Sequence, residues 1–296
     1  MNKFHSILAV AVFSAGCRGG NTDYSEFSLS PSGSYLIYAH GQDDSAELHR
    51  KDLPRGPDKL LLSVKYALRP ALEPASSRIL YSDLIDASSS PARFGIFIFD
   101  TISGSRVNLS NPPAGCSDYR PAVVGGRVYF DRASGSRAYS LGGRVFSSDA
   151  LMSMRLDGTG QKEMARGYEA LYLAQCGVRQ EQLFFVANHK ICRLDAPGGK
   201  ISALYPATEV YDVAASPKGS QLAFLTRDQE IHLADSSGRG PISKLTSLNS
   251  DIADIAFSPD GKSIVFCARS GWSGPFYFER LDLPTMQITR LFKEGD

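Results

Sequence analysis

The sequence predicts an all-β chain, a six-bladed β-propeller of four-stranded antiparallel blades, on three observations. A hairpin signature recurs along the chain, a turn-forming aspartate returns six times, and no stretch has the apolar periodicity of a helix. The hairpin is clearest from Ile255 to Arg269. There an apolar/polar alternation breaks at Ser258-Pro259-Asp260-Gly261 and then resumes, which is how two antiparallel strands joined by a tight turn are written. Proline presets φ, Asp260 can bond its own backbone, and Gly261 takes the left-handed position that a β-carbon resists. Ser216-Pro217-Lys218-Gly219 and Ser30-Pro31-Ser32-Gly33 precede similar strands, giving three copies of one unit.

The string Phe-Ser-Pro-Asp-Gly-Lys-x-Ile-x-Phe, at 257–266, resembles the repeat signature of the TolB-type β-propeller family. That family includes propeller domains of many peptidases and lipoproteins. The resemblance implies the fold and a habit of binding far more than one activity, because such propellers host unrelated functions. TolB proteins carry a second domain before the propeller, for which this sequence is expected to leave no room. The resemblance therefore implies nothing about the partner.

In chain order, residues 1–16 read as a signal peptide. Lys3 supplies a positive start, Ile7 to Phe13 an apolar run, and Ser14-Ala15-Gly16-Cys17 small residues before a thiol. This resembles a bacterial lipoprotein signal, although Ser14 stands where leucine is usual. The resemblance implies a lipidated (palmitate-type) Cys17, a tether over 17–23, and sorting to the periplasmic face of the outer membrane, because Arg18 replaces the aspartate that retains such proteins at the inner membrane. Residues 24–296 are then the propeller.

Six units follow, at 24–64, 66–110, 117–165, 167–205, 209–247 and 251–293. Each has a third strand ending in an aspartate before a turn, namely Asp52, Asp100, Asp157, Asp195, Asp235 and Asp282. These carboxylates are expected to bond turn N–H groups rather than to act in chemistry. All four strands of the last unit lie near the C-terminus, so the ring is expected to close by blade 1 packing on blade 6, with no shared strand.

Aligning the first strands on their turns places one residue of each blade in a ring around the axis: Glu26, Arg69, Arg120, Glu169, Asp212 and Asp254. All six are charged in a chain whose charged content is 21%. Two readings compete. In the structural one, Arg69 pairs with Glu26 and Arg120 with Glu169, contributing little net stability. In the functional one the ring floors a ligand-binding channel mouth, its arginines taking a carboxylate and its acidic arc an amine, an arginine or Ca²⁺. No cofactor is expected beyond that Ca²⁺. Loops between second and third strands share the ring's face. They read as long at His40–Ala46, Ser82–Arg93, Ala133–Ala150 and Arg269–Pro275, where Tyr139, Phe146 and Trp272 would wall the mouth.

Other chemistry finds little support. A net charge of +1 gives no reason to expect nucleic acid, and no 18-residue apolar run suggests a spanning helix. His5, His40, His49, His189 and His232 lack metal spacing or an evident carboxylate partner, so each is expected as a surface or edge residue. There is no Gly-x-Ser-x-Gly elbow, and a single Trp excludes repeated sialidase-like boxes. Cys116, Cys176, Cys192 and Cys267 allow three disulfide connectivities, but Cys267 reads as buried and free, and a Cys176–Cys192 bridge would join non-adjacent strands.

The expected function is thus a non-enzymatic scaffold in the cell envelope that binds a protein or peptide segment and meets the membrane only through its N-terminal lipid. A hydrolase or lyase acting on an envelope glycan or lactone, its acidic arc holding Ca²⁺ or serving as general acid and base, is the alternative, and a structural spacer with a plugged channel is a third reading.

Overall fold

The computed structural model describes residues 24–42, 45–73, 76–86, 93–134, 149–167, 172–173, 182–195, 200–205, 209–248, 250–269 and 274–294. Expectations for residues 1–23, Cys17 included, and for Glu169, Cys176, Tyr139, Phe146 and Trp272 lie outside the described residues. Blade 1 contains β1 (Tyr24–Leu29), β2 (Tyr35–Gln42), β3 (Ser45–Asp52) and β4 (Asp58–Val64). Blade 2 contains β5 (Leu68–Leu72), β6 (Arg78–Asp86), β7 (Arg93–Asp100) and β8 (Arg106–Asn108). In blade 3 these are β9 (Cys116–Val124), β10 (Arg127–Ser134), β11 (Ala150–Arg155) and β12 (Lys162–Arg166). Blade 4 holds β13 (Tyr172–Leu173), β14 (Gln182–Ala187), β15 (Lys190–Asp195) and β16 (Ile201–Leu204). Blade 5 runs through β17 (Val210–Ala215), β18 (Gln221–Thr226), β19 (Ile231–Asp235) and β20 (Ser243–Lys244). Blade 6 ends the ring with β21 (Asp251–Phe257), β22 (Ser263–Arg269), β23 (Phe276–Asp282) and β24 (Ile288–Lys293). Every blade is a consecutive four-stranded antiparallel sheet, as expected.

The three Ser-Pro hairpins share one geometry. Gly33, Gly219 and Gly261 have φ of 70°, 66° and 70°. Their N–H groups donate to the carbonyls of Ser30, Ser216 and Ser258 at 2.9, 2.7 and 2.8 Å. Each serine Oγ in turn accepts the N–H that opens the next strand, from Tyr35, Gln221 and Ser263. The turns also touch one another. A β-carbon on Gly33 would lie 3.2 Å from Pro259 Cδ of blade 6, and one on Gly261 would lie 3.5 Å from Pro217 Cδ of blade 5. Gly33→Ala therefore combines a positive φ with a tight contact. It is expected to lower the unfolding free energy by about 1–2 kcal/mol in urea titrations; an unchanged midpoint would deny the interlock.

One expectation is refined. The second strands do not alternate. Leu36-Ile37-Tyr38-Ala39, Leu183 to Val186 and Ile264 to Ala268 are buried throughout. Blades stack face to face, so a second strand has protein on both sides and reads as a continuous apolar run, whereas outer strands such as β24 are largely exposed. The loop expected at His40–Ala46 is mostly strand, since β2 and β3 pair out to Gln42 opposite Ser45.

Side chains between blades form the core. Blades 1 and 6 share no strand and close through Phe27, Leu36 and Tyr38 against Val265, Phe276, Phe278 and Phe292. There Phe278 and Phe292 stack at 4.4 Å and Phe27 meets Phe278 edge-on at 5.7 Å. Cys116, Cys192 and Cys267 are thiols outside any disulfide, Cys267 fully buried as expected.

Candidate functional site

Four of the six aspartates at the third-strand ends act as turn formers, whereas Asp52 accepts from Arg50 Nε at 2.9 Å and Asp195 from Gln182 Nε2 at 3.1 Å. Asp100 accepts from the N–H groups of Ile102 and Ser103, Asp235 from Ser237, and Asp282 from the N–H and hydroxyl of Thr285. Asp157 lies just past the end of β11 and accepts from Thr159 in the same way. These bonds hold the carboxyls of Asp100, Asp157, Asp235 and Asp282 below the usual range.

The axis is built from irregularities in the first strands. Pairing of β5 with β6 skips Arg69 and Pro70, and pairing of β9 with β10 skips Arg120 and Pro121. Register shifts also occur beside Asp212 in β17 and Asp254 in β21. Both arginines are left-handed, with φ of 49° and 52°. That conformation costs a residue bearing a β-carbon about 1–3 kcal/mol, so the contacts made at the axis must offset it.

Those contacts correct the sequence-based pairing. The Arg69 guanidinium does not serve Glu26 as the structural reading had it. Its Nη2 donates to Asp212 Oδ1 at 2.6 Å and to Asp254 Oδ1 at 3.0 Å, tying blade 2 to blades 5 and 6. Glu26 instead accepts the backbone N–H of Arg69 at 2.7 Å, and Asp254 accepts that of Phe27 at 2.9 Å. Arg120 lies 3.4 Å from Asp131 Oδ2, a partner on β10 of its own blade that the alignment of first strands did not include. Its expected partner Glu169 lies outside the described residues. The guanidinium of Arg69 thus occupies the position between carboxylates that the Ca²⁺ expectation reserved for a cation. Among the described residues no group of three or more His, Cys, Asp or Glu is arranged to hold a metal ion.

Burial changes the character of the ring. Arg69, Arg120, Asp212 and Asp254 are between 3% and 7% exposed, and Glu26, the fifth described member, is half-buried. The space beside Arg69 and Asp254, walled by Phe27, Val213 and Ile255, has a volume of about 20 Å³, room for roughly one water. Burial opposes the charge on Arg69, but Asp212, Asp254 and Glu26 overcome it and hold the guanidinium more firmly protonated than usual. Burial, with Asp212 alongside, pushes the Asp254 carboxyl well up against the pull of Arg69. Asp131, 1% exposed and with Oδ1 unpartnered, is pushed up to about 7 by burial, opposed by Arg120 and Arg69. Farther out, Arg132 grips Asp118 bidentately at 2.6 and 2.8 Å.

Neither a protein-family model nor any curated protein matches the sequence. Solved structures do. TolB from Acinetobacter baumannii superposes with a TM-score of 0.66 at 18% identity, over 94% of this chain and 64% of that one. The chain thus spans less than two thirds of that TolB. A nidogen/laminin complex gives a TM-score of 0.63 at 13% identity, over 90% of this chain and 92% of that one. An oligogalacturonate lyase in complex with manganese gives 0.63 at 12% identity, over 91% of this chain and 77% of that one. The chain has a TolB-like six-bladed propeller fold.

On this TolB-like propeller the expected face is only partly described. The blade 4 connection, Asn188-His189, is a two-residue turn with φ of 51° and 56°, the twist that suits a hairpin. Residues 87–92, 135–148 and 270–273, which carry most of the long loops, lie outside the described residues. Two features escaped sequence reasoning although signals were present. The triplet Arg-Pro-Ala occurs at both 69–71 and 120–122, marking the two bulges. The histidine expectation also needs correction. His49 touches two carboxylates, Glu47 and Asp58, and His40 a third, Glu294. Glu47-x-His49 is the period of one strand face, but Asp58 and Glu294 arrive only through the sheet and the ring.

Proposed function

We propose that this chain is a non-enzymatic binding scaffold of the cell envelope, anchored through an acylated Cys17 at the periplasmic face of the outer membrane. It would bind an envelope protein or peptide segment over the ring's face. The observation that carries this reading is the buried axial clamp. Arg69 pairs with Asp212 and Asp254 around a water-sized space, which leaves recognition to the rim and the loops, with the ring as their floor. Glu26, half-buried at the edge of the clamp, is the described ring member best placed to meet a partner, and Glu169 joins it by sequence register. The fold alone does not choose between classes, since its structural neighbours include a propeller in complex with a protein and a lyase.

Protein beginning at residue 18 is expected to capture an envelope protein from solubilised membranes. Replacing 135–148 by a short Gly-Ser linker should abolish capture while leaving the melting temperature unchanged. Equal capture by both proteins would remove the loops from the reading. Divalent-cation-dependent turnover of a glycan, oligogalacturonate being the first to try, would favour the lyase alternative. Anchoring is tested separately: incorporation of an alkyne-tagged fatty acid in growing cells should be lost in Cys17→Ser.

A further inference from the structure

In blades 2 and 5 the repeat lays a ring of the third strand flat on a ring of the second. Phe97 of blade 2 stands opposite Tyr81, with ring centroids 6.1 Å apart and 24° between the planes. The same place in blade 5 belongs to His232, opposite Phe224 at 5.6 Å and 14°. The surroundings are equivalent too. In blade 2 the Ile96 N–H donates to Ser110 Oγ, and the Leu109 N–H donates to the Ile96 carbonyl. In blade 5 the Ile231 N–H donates to Thr246 Oγ1, and the Leu245 N–H donates to the Ile231 carbonyl. Imidazole thus fills the place of a phenyl ring, and both its nitrogens are buried with no hydrogen-bond partner.

A ring placed in this way suits the neutral form. Burial pushes the His232 imidazole below its ordinary value, with Asp228 and Glu230 opposing the shift and Lys244 assisting it. On the blade 4 side, β16 reads Ile201-Ser202-Ala203-Leu204 and adds no charge, and Tyr205 keeps its proton, donating to the Asp235 carbonyl at 2.6 Å. The two carboxylates are already engaged. Asp228 accepts from the Thr226 hydroxyl, and Glu230 Oε2 accepts from Thr246 Oγ1 at 2.6 Å and from the Leu248 N–H at 3.2 Å. Lys244 Nζ lies 3.8 Å from Asp228 and 3.5 Å from Glu230. An imidazolium carries two N–H donors, and the acceptors at hand are the carboxylates that hold Thr226, Thr246 and Leu248. It would also stand directly opposite Lys244 in the pairing of β19 with β20, where like charges weaken a sheet. Strand β20, Ser243–Lys244, has only two residues to resist.

We propose that His232 is an acid-sensitive release for the connection from β20 to β21, which reaches the ring's face at the strand that carries Asp254 of the clamp. At neutral pH the uncharged ring lies flat on Phe224 and Glu230 holds the connection. On acidification the charged ring draws Asp228 and Glu230 from their partners and repels Lys244, so residues 243–248 loosen. The sign follows from burial. The folded form takes this proton less readily than the unfolded chain, so stability is complete above the ordinary value of 6.5 and is lost as pH falls through it towards the folded value. The release needs no bound partner and holds whether or not the ring's face binds one.

Native-state hydrogen exchange on the whole chain, corrected for intrinsic rates, reads the release at the amides of Ile231, Leu245 and Leu248. Their opening constants are expected to rise several-fold between about pH 8 and about pH 5, while that of Leu109, the equivalent amide of blade 2, stays level. His232→Phe restores the blade 2 arrangement. Because the imidazole makes no hydrogen bond to lose, that variant should keep the constants low at both pH values. Should it not fold, His232→Gln, neutral throughout, should also abolish the rise. In the wild type, the His232 ring followed by NMR should titrate with a midpoint below 6.5. A midpoint at or above that value, constants that do not rise, a rise shared by Leu109, or one that survives in a folded variant overturns the release.

Discussion

Arg69→Met is expected to cost roughly 3–5 kcal/mol of unfolding free energy at pH 8, the range for removing one partner of a buried ion pair. The substitution keeps much of the side-chain volume but leaves Asp212 and Asp254 facing each other at the axis without their shared guanidinium. The cost should depend on pH. Burial already holds the Asp254 carboxyl well above the usual carboxylate range, and without Arg69 it would be forced higher still. A carboxyl whose folded pKa is raised contributes stability at low pH that is lost as pH rises through the folded value. The variant should therefore be closest to wild type near pH 4–5 and weakest above pH 7. Adding Asp212→Asn and Asp254→Asn should restore most of the loss at pH 8, because a neutral triad has no charge to leave stranded. Urea titrations at pH 5 and pH 8 measure all of this. A loss below about 1 kcal/mol, equal at both pH values, would mean that the clamp does not hold the ring.

The opposite sign is expected for Asp131→Asn, which should stabilise the protein by about 2–4 kcal/mol at pH 8 and change little at pH 4. Asp131 is fully buried, and its carboxyl is pushed up to about 7, against about 3.9 in an unfolded chain. Between those values the folded state binds a proton that the unfolded state has released, so wild-type stability falls with rising pH through this window and levels off above it. Asparagine mimics the protonated acid and removes the cost of burying a charge that Arg120 meets only at 3.4 Å. A loss of more than about 1 kcal/mol at pH 8 would show instead that the Arg120 pair outweighs the burial cost. The clamp and Asp131 thus make the axis a place where the same ring stabilises through one arginine and is penalised through one acid.

The blades were legible because each is a local event. A Ser-Pro-x-Gly turn, a run of apolar residues and a terminal aspartate lie within some 45 residues, so turn chemistry and strand periodicity specify a blade before any long-range contact forms. The ring positions were legible for the same reason, since a repeat places equivalent residues at equivalent radii. Partners were not. Arg69 lies 143 residues from Asp212 and 185 from Asp254. Neighbouring blades suggested Glu26, but a long side chain at a bulge reaches across a narrow axis more readily than it folds back on the next strand. Asp131 was missed because the alignment compared first strands only, although an acid inside Tyr129-Phe130-Asp131-Arg132 breaks the pattern of a doubly covered strand.

The amino-acid sequence by itself determined the fold class, the number of blades, their boundaries to within a few residues, the closure without a shared strand and the charged nature of the axis. All of these follow from short-range stereochemistry repeated six times. Only the tertiary structure decided that Arg69, Arg120, Asp212 and Asp254 are buried, that Arg69 binds two acids from distant blades, and that His40 meets a carboxylate of blade 6 and His49 two of its own blade. Those outcomes depend on the channel width and on which blade faces meet when the ring closes, and side-chain reach and desolvation across such distances leave no periodic trace in the chain.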